Sequence, residues 1–392
     1  MPWKVEVATM SDDEALASHI HLITPGDHFS PRTGSAVPSV VHGLCGGAGP
    51  SVRSSVLVAR GTYPDHYPSA QIIEYDLVHG ARYGRYVDAA RGQLGLPRSA
   101  AQRPVRAALS EQHTWVTSAV VAHNLPAAVA VVAARHQPVL YAHNNLLRSY
   151  SPWEAGRALG SVSAIIAVSN SLADQLLPHL PGRLQDRLKV VHNAADCETF
   201  YPTTTLRTAG PLRVTVVGRT IRDKGADLVI EAVKLLGRTD VELRILGSSG
   251  FDPNAPLTSF EEDMRRAAHG SATTIRFVPS RPRADVAAFL RESDVLVVPS
   301  RWPDPCPLTV LEGMATAIPV VAANIGGLPE LLGDAGILVT PDSPASIAEA
   351  LTALLDDEAL RRQVGALGLT RAQESTWARS ARIFADHLDA AI

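Results

Sequence analysis

The sequence predicts an α/β chain built of two doubly wound parallel sheets, and three observations carry that prediction. Short apolar runs alternate with helical patterns from one end to the other. The hydrophobic fraction of 46% comes mainly from Ala, Val and Leu, with aromatics at only 5%, as suits parallel strands covered by helices on both faces. A length of 392 residues corresponds to two domains, or three, at about 150 residues each.

In the first half, Val- and Ile-rich runs place strands at 19–24, 55–59, 119–123, 139–143, 164–169 and 189–192. Helical periodicity lies between them at 35–46, 127–135 and 171–177. In the second half strands are expected at 213–217, 242–246, 274–278, 295–298, 320–322 and 337–339. The helices expected there cover 227–236, 260–269, 283–291, 309–315 and 344–355. A Thr-, Pro- and Gly-bearing stretch at 200–211 has weak periodicity and reads as a linker. This divides the chain into a first domain at 1–203 and a second at 204–375, with an amphipathic helix at 376–392 that packs back across the first. Two such sheets leave a cleft at the carboxyl ends of their strands, where ligands of this architecture bind.

Composition excludes several classes. The first 203 residues hold 16 basic and 15 acidic side chains and the remainder 20 and 24. The net charge of −3 is therefore a nearly neutral half joined to an acidic one, which argues against nucleic acid as a partner. Cys45, Cys197 and Cys306 are far apart and lack metal-ligand spacing, so they read as reduced thiols in a cytoplasm. The opening residues show no basic-then-apolar leader pattern. The most apolar stretch, 116–134, is broken by His123, Asn124 and Pro126, and reads as strand, turn and helix rather than a membrane span. Only four of the 36 basic residues are lysine, which makes Lys224 stand out against a general drift to arginine.

Four segments carry chemistry. In PSRWPDPCPLTVLEGMATAIPVVAANIGGLPELL, from Pro299, a strand end leads through a Pro-rich loop into a helix near Thr309. First-turn amides there form a ready phosphate site. Asp304 and Glu312, eight residues apart, can accept hydrogen bonds from polyol hydroxyls; the plainer reading is a turn residue and a solvated helix position. In VVGRTIRDKGADLVIEAV, Arg219 and Lys224 stand at a sheet's carboxyl edge, where bidentate Arg and point-charge Lys suit a diphosphate. PRTGSA places Gly34 where backbone can approach a ligand closely. VVAHN and LYAHN put His123 and His143 at two strand ends, each followed by Asn.

Together these segments resemble the retaining glycosyltransferases of family 4, which have the GT-B fold. The resemblance runs from the Gly34 loop to the closing helix and is strongest in the second half: GRxxxxKG, the PS loop, two acids with seven residues between, PVVA and GGLPE. AVSNSLADQL and VVHNAADCETFYP also resemble family segments. The resemblance implies that Arg219 and Lys224 hold the donor diphosphate, with Gly34 approaching it from the other domain. It implies that Glu312 binds the ribose and Asp304 the transferred sugar. The backbone of Cys306, Leu308 and Thr309, around Pro307, would meet sugar and phosphate, and His123 would reach the sugar near its reacting carbon. Gly326, Gly327 and Glu330 would shape the loop. Where the family has Glu and then Phe-Gly, this chain has Asp304 and Cys306–Pro307. Asp is one methylene shorter and Pro307 lacks a backbone donor, which points to an unusual sugar or an altered pose.

The expected chemistry is transfer of a hexose or aminohexose from a nucleoside diphosphate sugar to a hydroxyl of a small-molecule or glycan acceptor. No D-x-D occurs, so no metal or cofactor is expected, and Arg219, Lys224 and helix amides take the metal's place. Front-face displacement is favoured, with the departing phosphate helping to deprotonate the acceptor. Catalysis would rest on His123, Asp304, Arg219 and Lys224. The alternative is a GT-B-fold epimerase or a binding scaffold. For the arginine-rich segment 81–106, with Tyr83 and Tyr86 interleaved, a solvated face, an anionic-acceptor arm and a lipid contact all remain open. A peripheral membrane contact ranks below a soluble acceptor.

Overall fold

A computed structural model describes residues 17–80, 82–94, 96–203, 210–250 and 255–390. The expected join at 203/204 and the opening segment through residue 16 lie outside or at the margin of the described residues. The first sheet has seven strands: β1 Ala17–Leu22, β2 Val52–Ala59, β3 Gln71–Tyr75, β4 Ala119–His123, β5 Gln137–Ala142, β6 Ala164–Ala167 and β7 Leu188–Val190. They are all parallel, in the order β3-β2-β1-β4-β5-β6-β7. The second has six: β8 Leu212–Val217, β9 Val241–Leu246, β10 Thr274–Val278, β11 Val295–Val298, β12 Val320–Ala323 and β13 Ile337–Val339. These are also parallel, in the order β10-β9-β8-β11-β12-β13. The α/β class with two doubly wound parallel sheets is thus the one the chain adopts.

Strand order reverses once in each sheet, between β1 and β4 and between β8 and β11. The loops leaving those four strands diverge to opposite faces and open a crevice at the carboxyl edge. The middles of these strands are fully buried: Val120, Val121, Val214, Val295, Leu296 and Val297 are at 0% exposure. A core of this kind anchors the loops above it.

Three expectations need correction. The helix expected at 127–135 is only Pro126–Val129. The Gln112 side chain donates to the Val131 carbonyl at 3.2 Å and accepts from the Ala133 N–H at 2.7 Å, capturing backbone groups that a longer helix would use. Strand β3 was not expected, because an edge strand with two isoleucines between polar residues shows little periodicity. The helix Glu358–Glu374 was not expected either, and its apolar residues form no single stripe in sequence.

The closing helix, Trp377–Asp389, begins with the Thr376 hydroxyl accepting from the Arg379 N–H. It lies against the first-unit helix Ala36–Gly47, where glycines make room for it. A Cβ on Gly43 would fall 2.2 Å from the Trp377 ring, and one on Gly47 2.3 Å from the Trp377 carbonyl. Two hydrogen bonds tie the closing helix to other parts of the first unit: Gln137 of β5 donates to the Leu388 carbonyl and Ser380 to the His192 carbonyl.

One carboxylate joins the two sheet units at the seam. Glu330, on the second-unit helix Leu328–Leu332, accepts from the backbone N–H groups of Asn170 at 2.9 Å and Ser171 at 3.2 Å, and pairs with His192. Burial pushes its pKa up, but the Asn170 and Ser171 amides and His192 outweigh this and hold it below the usual glutamate value. The anion is therefore the form that closes the seam, and the contact is lost only as pH falls through that lowered value. Glu330→Ala should loosen the seam locally while the closing helix keeps the units joined. Hydrogen exchange of the Asn170 and Ser171 amides at neutral pH should quicken, and unchanged exchange would exclude Glu330 as a tie.

Candidate active site

The carboxyl edges of the two sheets face each other across a cavity of about 440 Å³, within the usual range for small-molecule sites. Gly34, Ser35 and Ala36 line it from the first unit, with His143 and Asn193. Arg219, Lys224, Arg283, Asp304, Glu312 and residues 306–309 line it from the second. Every site residue singled out from the sequence except His123 therefore lies on this one cleft.

The floor is bare backbone. Gly218 ends β8 with φ +146° and Gly247 ends β9 with φ +150°, and a Cβ on Gly247 would sit 1.8 Å from the Gly218 carbonyl oxygen. Only glycine fits there. Arg219 follows at once, exposed, its Nε donating to the Ser249 carbonyl at 3.0 Å. The Ser249 N–H donates to Glu261, which also accepts from the Thr220 hydroxyl and caps the helix Ser259–Ala268 through Thr258. Burial pushes the Glu261 carboxyl up, but those hydrogen bonds overcome it and set its pKa at about 2. An ionised carboxylate thus braces the loop on both sides of Arg219. The Thr258-x-x-Glu261 capping box was its signal in the sequence.

Lys224 sits in a short 3₁₀ turn ended by Gly225 at φ +72°. Arg301 holds that turn: its guanidinium grips Asp227 at 2.7 and 2.8 Å and donates to the Arg222 carbonyl, while its N–H donates to the Asp223 carbonyl. The Lys224 ammonium is ion-paired with the Asp304 carboxylate. Asp304 is itself placed by a backbone clamp, with the Gly327 N–H donating to its carbonyl at 2.9 Å. A Cβ on Gly327 would lie 1.7 Å from the Pro305 carbonyl oxygen. From the first unit, Asn193 Nδ2 donates to the Cys306 carbonyl at 2.9 Å. The Cys306 thiol is buried and its pKa is pushed up to about 12, so it is inert packing. Pro307 then caps the helix Leu308–Ala315, whose first-turn amides open on the cleft.

Glu312, one turn into that helix, is 6% exposed and meets Arg283 at 2.6 Å. Burial raises its pKa and the Arg283 charge opposes the rise. Arg283 was not singled out from the sequence. Its signal was positional: like Arg219 it follows a strand of the second sheet and opens onto the carboxyl edge, here after Pro282.

His123 lies elsewhere than expected. It is fully buried and does not line the cleft. Its ring stands between His21 and His143, bonded to each, and His143 is the one that reaches the cavity. In the arginine-rich segment, Arg98 is taken up by Glu154 at 2.6 Å and stacks 3.7 Å from the centre of the Tyr150 ring, while Asp88 is buried capping the helix Ser99–Ala108. Tyr83, Tyr86 and Leu94 are exposed on this face. None of these residues lines the cleft. Among the described residues, no group of three His, Cys, Asp or Glu side chains is arranged to hold a metal, and no helix is long and apolar enough to cross a membrane.

Two parallel α/β sheets facing across a cleft define a GT-B protein, and known structures agree. Over 94% of this chain and 98% of the other, the fold matches sucrose-phosphate synthase from Thermosynechococcus elongatus with a TM-score of 0.73 at 18% identity. Anabaena HepE in complex with UDP-glucose matches over 95% and 99% with a TM-score of 0.71, also at 18% identity. Residues 211–357 match the family model described as Glycosyl transferases group 1. Among curated relatives, the D-inositol 3-phosphate glycosyltransferase of Paenarthrobacter aurescens is 32% identical over 58% of this chain and 57% of its own length. The alpha-maltose-1-phosphate synthase of Mycolicibacterium smegmatis is 28% identical over 70% of this chain and 77% of its own. The chain spans little more than half the length of the inositol-phosphate relatives it matches.

Arg283→Ala leaves Glu312 buried with no counter-charge, a change that costs about 3 kcal/mol or more. Its folded pKa then lies still further above the ordinary value, so the carboxyl takes up a proton on folding and the loss deepens as pH rises through the neutral range. Denaturant unfolding at pH 5 and pH 8 should show the larger deficit at pH 8. The double variant Arg283→Ala/Glu312→Gln should remove that difference, and a deficit independent of pH would contradict the pairing.

Proposed function

We propose that this chain is a retaining glycosyltransferase. It moves a hexose or aminohexose from a nucleoside diphosphate sugar to a hydroxyl of a small-molecule or glycan acceptor. The observation that carries the reading is the gathering of Arg219, Lys224 and the first-turn amides of Leu308–Ala315 on one cleft wall, beside the acids Asp304 and Glu312. The two cations and the amides suit a diphosphate. Arg283 engages Glu312 through one carboxylate oxygen, and Glu312 can accept from ribose hydroxyls while so held. Asp304, poised against Lys224, accepts from hydroxyls of the transferred sugar, and the ammonium then turns to the phosphates. As the glycosidic bond breaks, charge grows on the phosphate oxygen beside fixed positive groups that need no reorganisation. This reading uses no metal. The names of the relatives, D-inositol 3-phosphate glycosyltransferase and alpha-maltose-1-phosphate synthase, support a polar acceptor.

Thermal shift and nucleotide release against UDP-, GDP-, ADP- and dTDP-sugars test the donor directly. A donor at 100 times its Kd adds about 2.7 kcal/mol of stability. With the best donor, Lys224→Ala and Glu312→Ala should each lower turnover on the order of a hundredfold or more, about 3 kcal/mol in barrier. Near-normal turnover in either variant would sink the site assignment. The anomeric configuration of the product, read by NMR, decides retention.

A further inference from the structure

His21, His123 and His143 form a diagonal row across three neighbouring strands. His21 on β1 is in register with Val121 on β4, and His123 lies two residues further on. His123 is in register with Tyr141 on β5, and His143 again lies two residues further on. Steps of two keep all three side chains on one face of the sheet, and each step climbs towards its carboxyl edge. The contacts are direct: His21 Nδ1 to His123 Nε2 at 3.0 Å, and His123 Nδ1 to His143 Nε2 at 2.9 Å. The outer ends meet different cavities. His143 lines the interdomain cleft, and His21 lines a separate space of about 200 Å³ between the first sheet and the closing helix. Tyr141 packs over the row from below and Phe384 of the closing helix stands against Tyr141 and His19.

Burial lowers the pKa of all three rings, to about 3 for His21 and His143, so the row is neutral near pH 7. A neutral imidazole has one donor and one acceptor. Two N···N contacts in series therefore force one tautomer on all three rings. Either every ring carries its proton on Nε2, and His143 offers a bare Nδ1 to the cleft, or every ring carries it on Nδ1, and His143 offers an N–H.

We propose that this row conducts protons between the interdomain cleft and the cavity under the closing helix, and serves as the exit for the acceptor's proton. Starting from the Nε2–H row, the acceptor hydroxyl gives its proton to His143 Nδ1 as its oxygen bonds the sugar carbon and the bond from that carbon to the diphosphate oxygen breaks, the nucleoside diphosphate leaving with the electron pair. His143 Nε2–H passes to His123 Nδ1, His123 Nε2–H to His21 Nδ1, and His21 Nε2–H to water in the second cavity. One proton leaves the cleft, no ring becomes charged at the end, and the row is left in the Nδ1–H state. When product release admits water to the cleft, the reverse shift restores it. His123 and His21 act through His143 and are positioning residues. The role in transfer rests on the glycosyltransferase reading; conduction itself does not.

The test uses full-length protein with ¹⁵N-labelled histidine. Long-range ¹H–¹⁵N spectra at neutral pH should show His21, His123 and His143 in one shared tautomer, and mixed tautomers overturn the row. The His123 ring N–H, though fully buried, should exchange with water at least about a hundredfold faster than the β4 backbone amides, which need local unfolding. Exchange no faster than those amides overturns conduction. His21→Gln, which keeps a polar partner for His123, and His21→Phe should both slow that exchange. With the best donor each should also cut kcat about tenfold, with unchanged donor KM and a solvent isotope effect reduced to a single proton. His19→Gln, in the same cavity but outside the row, should leave all of these unchanged. Wild-type kcat and isotope effect in both His21 variants overturn the catalytic role. Failure of every donor overturns the transferase reading, while the tautomer and exchange results still decide conduction.

Discussion

The geometry of the cleft depends on the loop from Pro299 to Pro307 being held in one conformation. That loop carries Asp304 and delivers the helix Leu308–Ala315 to the cavity. Hydrogen bonds to its carbonyls clamp it from both sides: the Gly327 N–H on the Asp304 carbonyl within its own unit, and the Asn193 side-chain amide on the Cys306 carbonyl from the other. Carbonyl acceptors do not titrate, so these clamps hold at any pH at which the fold survives. Lys224 is brought to the same loop by Arg301, which bonds the Arg222 carbonyl and Asp227 together. Loss of one clamp would displace an acid, a cation and a helix terminus at once. Sites that need a group placed to within about half an ångström are built in this over-determined way.

The same loop explains why two separately folded sheets act as one site. Asn193 and Glu330 cross the seam in opposite directions, one donating to the second unit and one accepting from the first. The closing helix adds a third tie, returning from the second unit to fill the glycine groove of Ala36–Gly47. Apolar packing joins the units as well: one buried cluster takes in Tyr141, Val168 and Val191 of the first unit and Cys306, Leu308 and Leu328 of the second.

Much of the second unit's wall of the cleft was legible in the chain because its residues are close in sequence. Arg219 and Lys224 share one strand-to-helix turn, and Asp304 and Glu312 share one loop and helix start. The strand pattern that precedes each decides which edge they face. Arg283 was missed because the acid it meets is not its sequence neighbour Asp285 but Glu312, which arrives from another strand connection. Glu330 was read as a loop-shaping residue and is in addition the tie across the seam. The histidines show the limit most clearly. VVAHN and LYAHN have the same form, yet His123 ends inside the sheet at 0% exposure while His143 reaches the cavity. The difference is one residue of strand end: β4 includes His123, whereas β5 stops at Ala142.

By itself the sequence determined the class of fold, the two sheets and the set of charged groups at the edge of the second, since hydrophobic periodicity and strand-end position are local properties. Tertiary structure alone decided which groups meet: Arg283 with Glu312, Lys224 with Asp304, Glu330 with the first unit, and three histidines in a line. Each of those pairings joins segments 20 or more residues apart, and for the histidines the register between neighbouring strands sets whether two side chains stand at 3 Å or on opposite faces of a sheet.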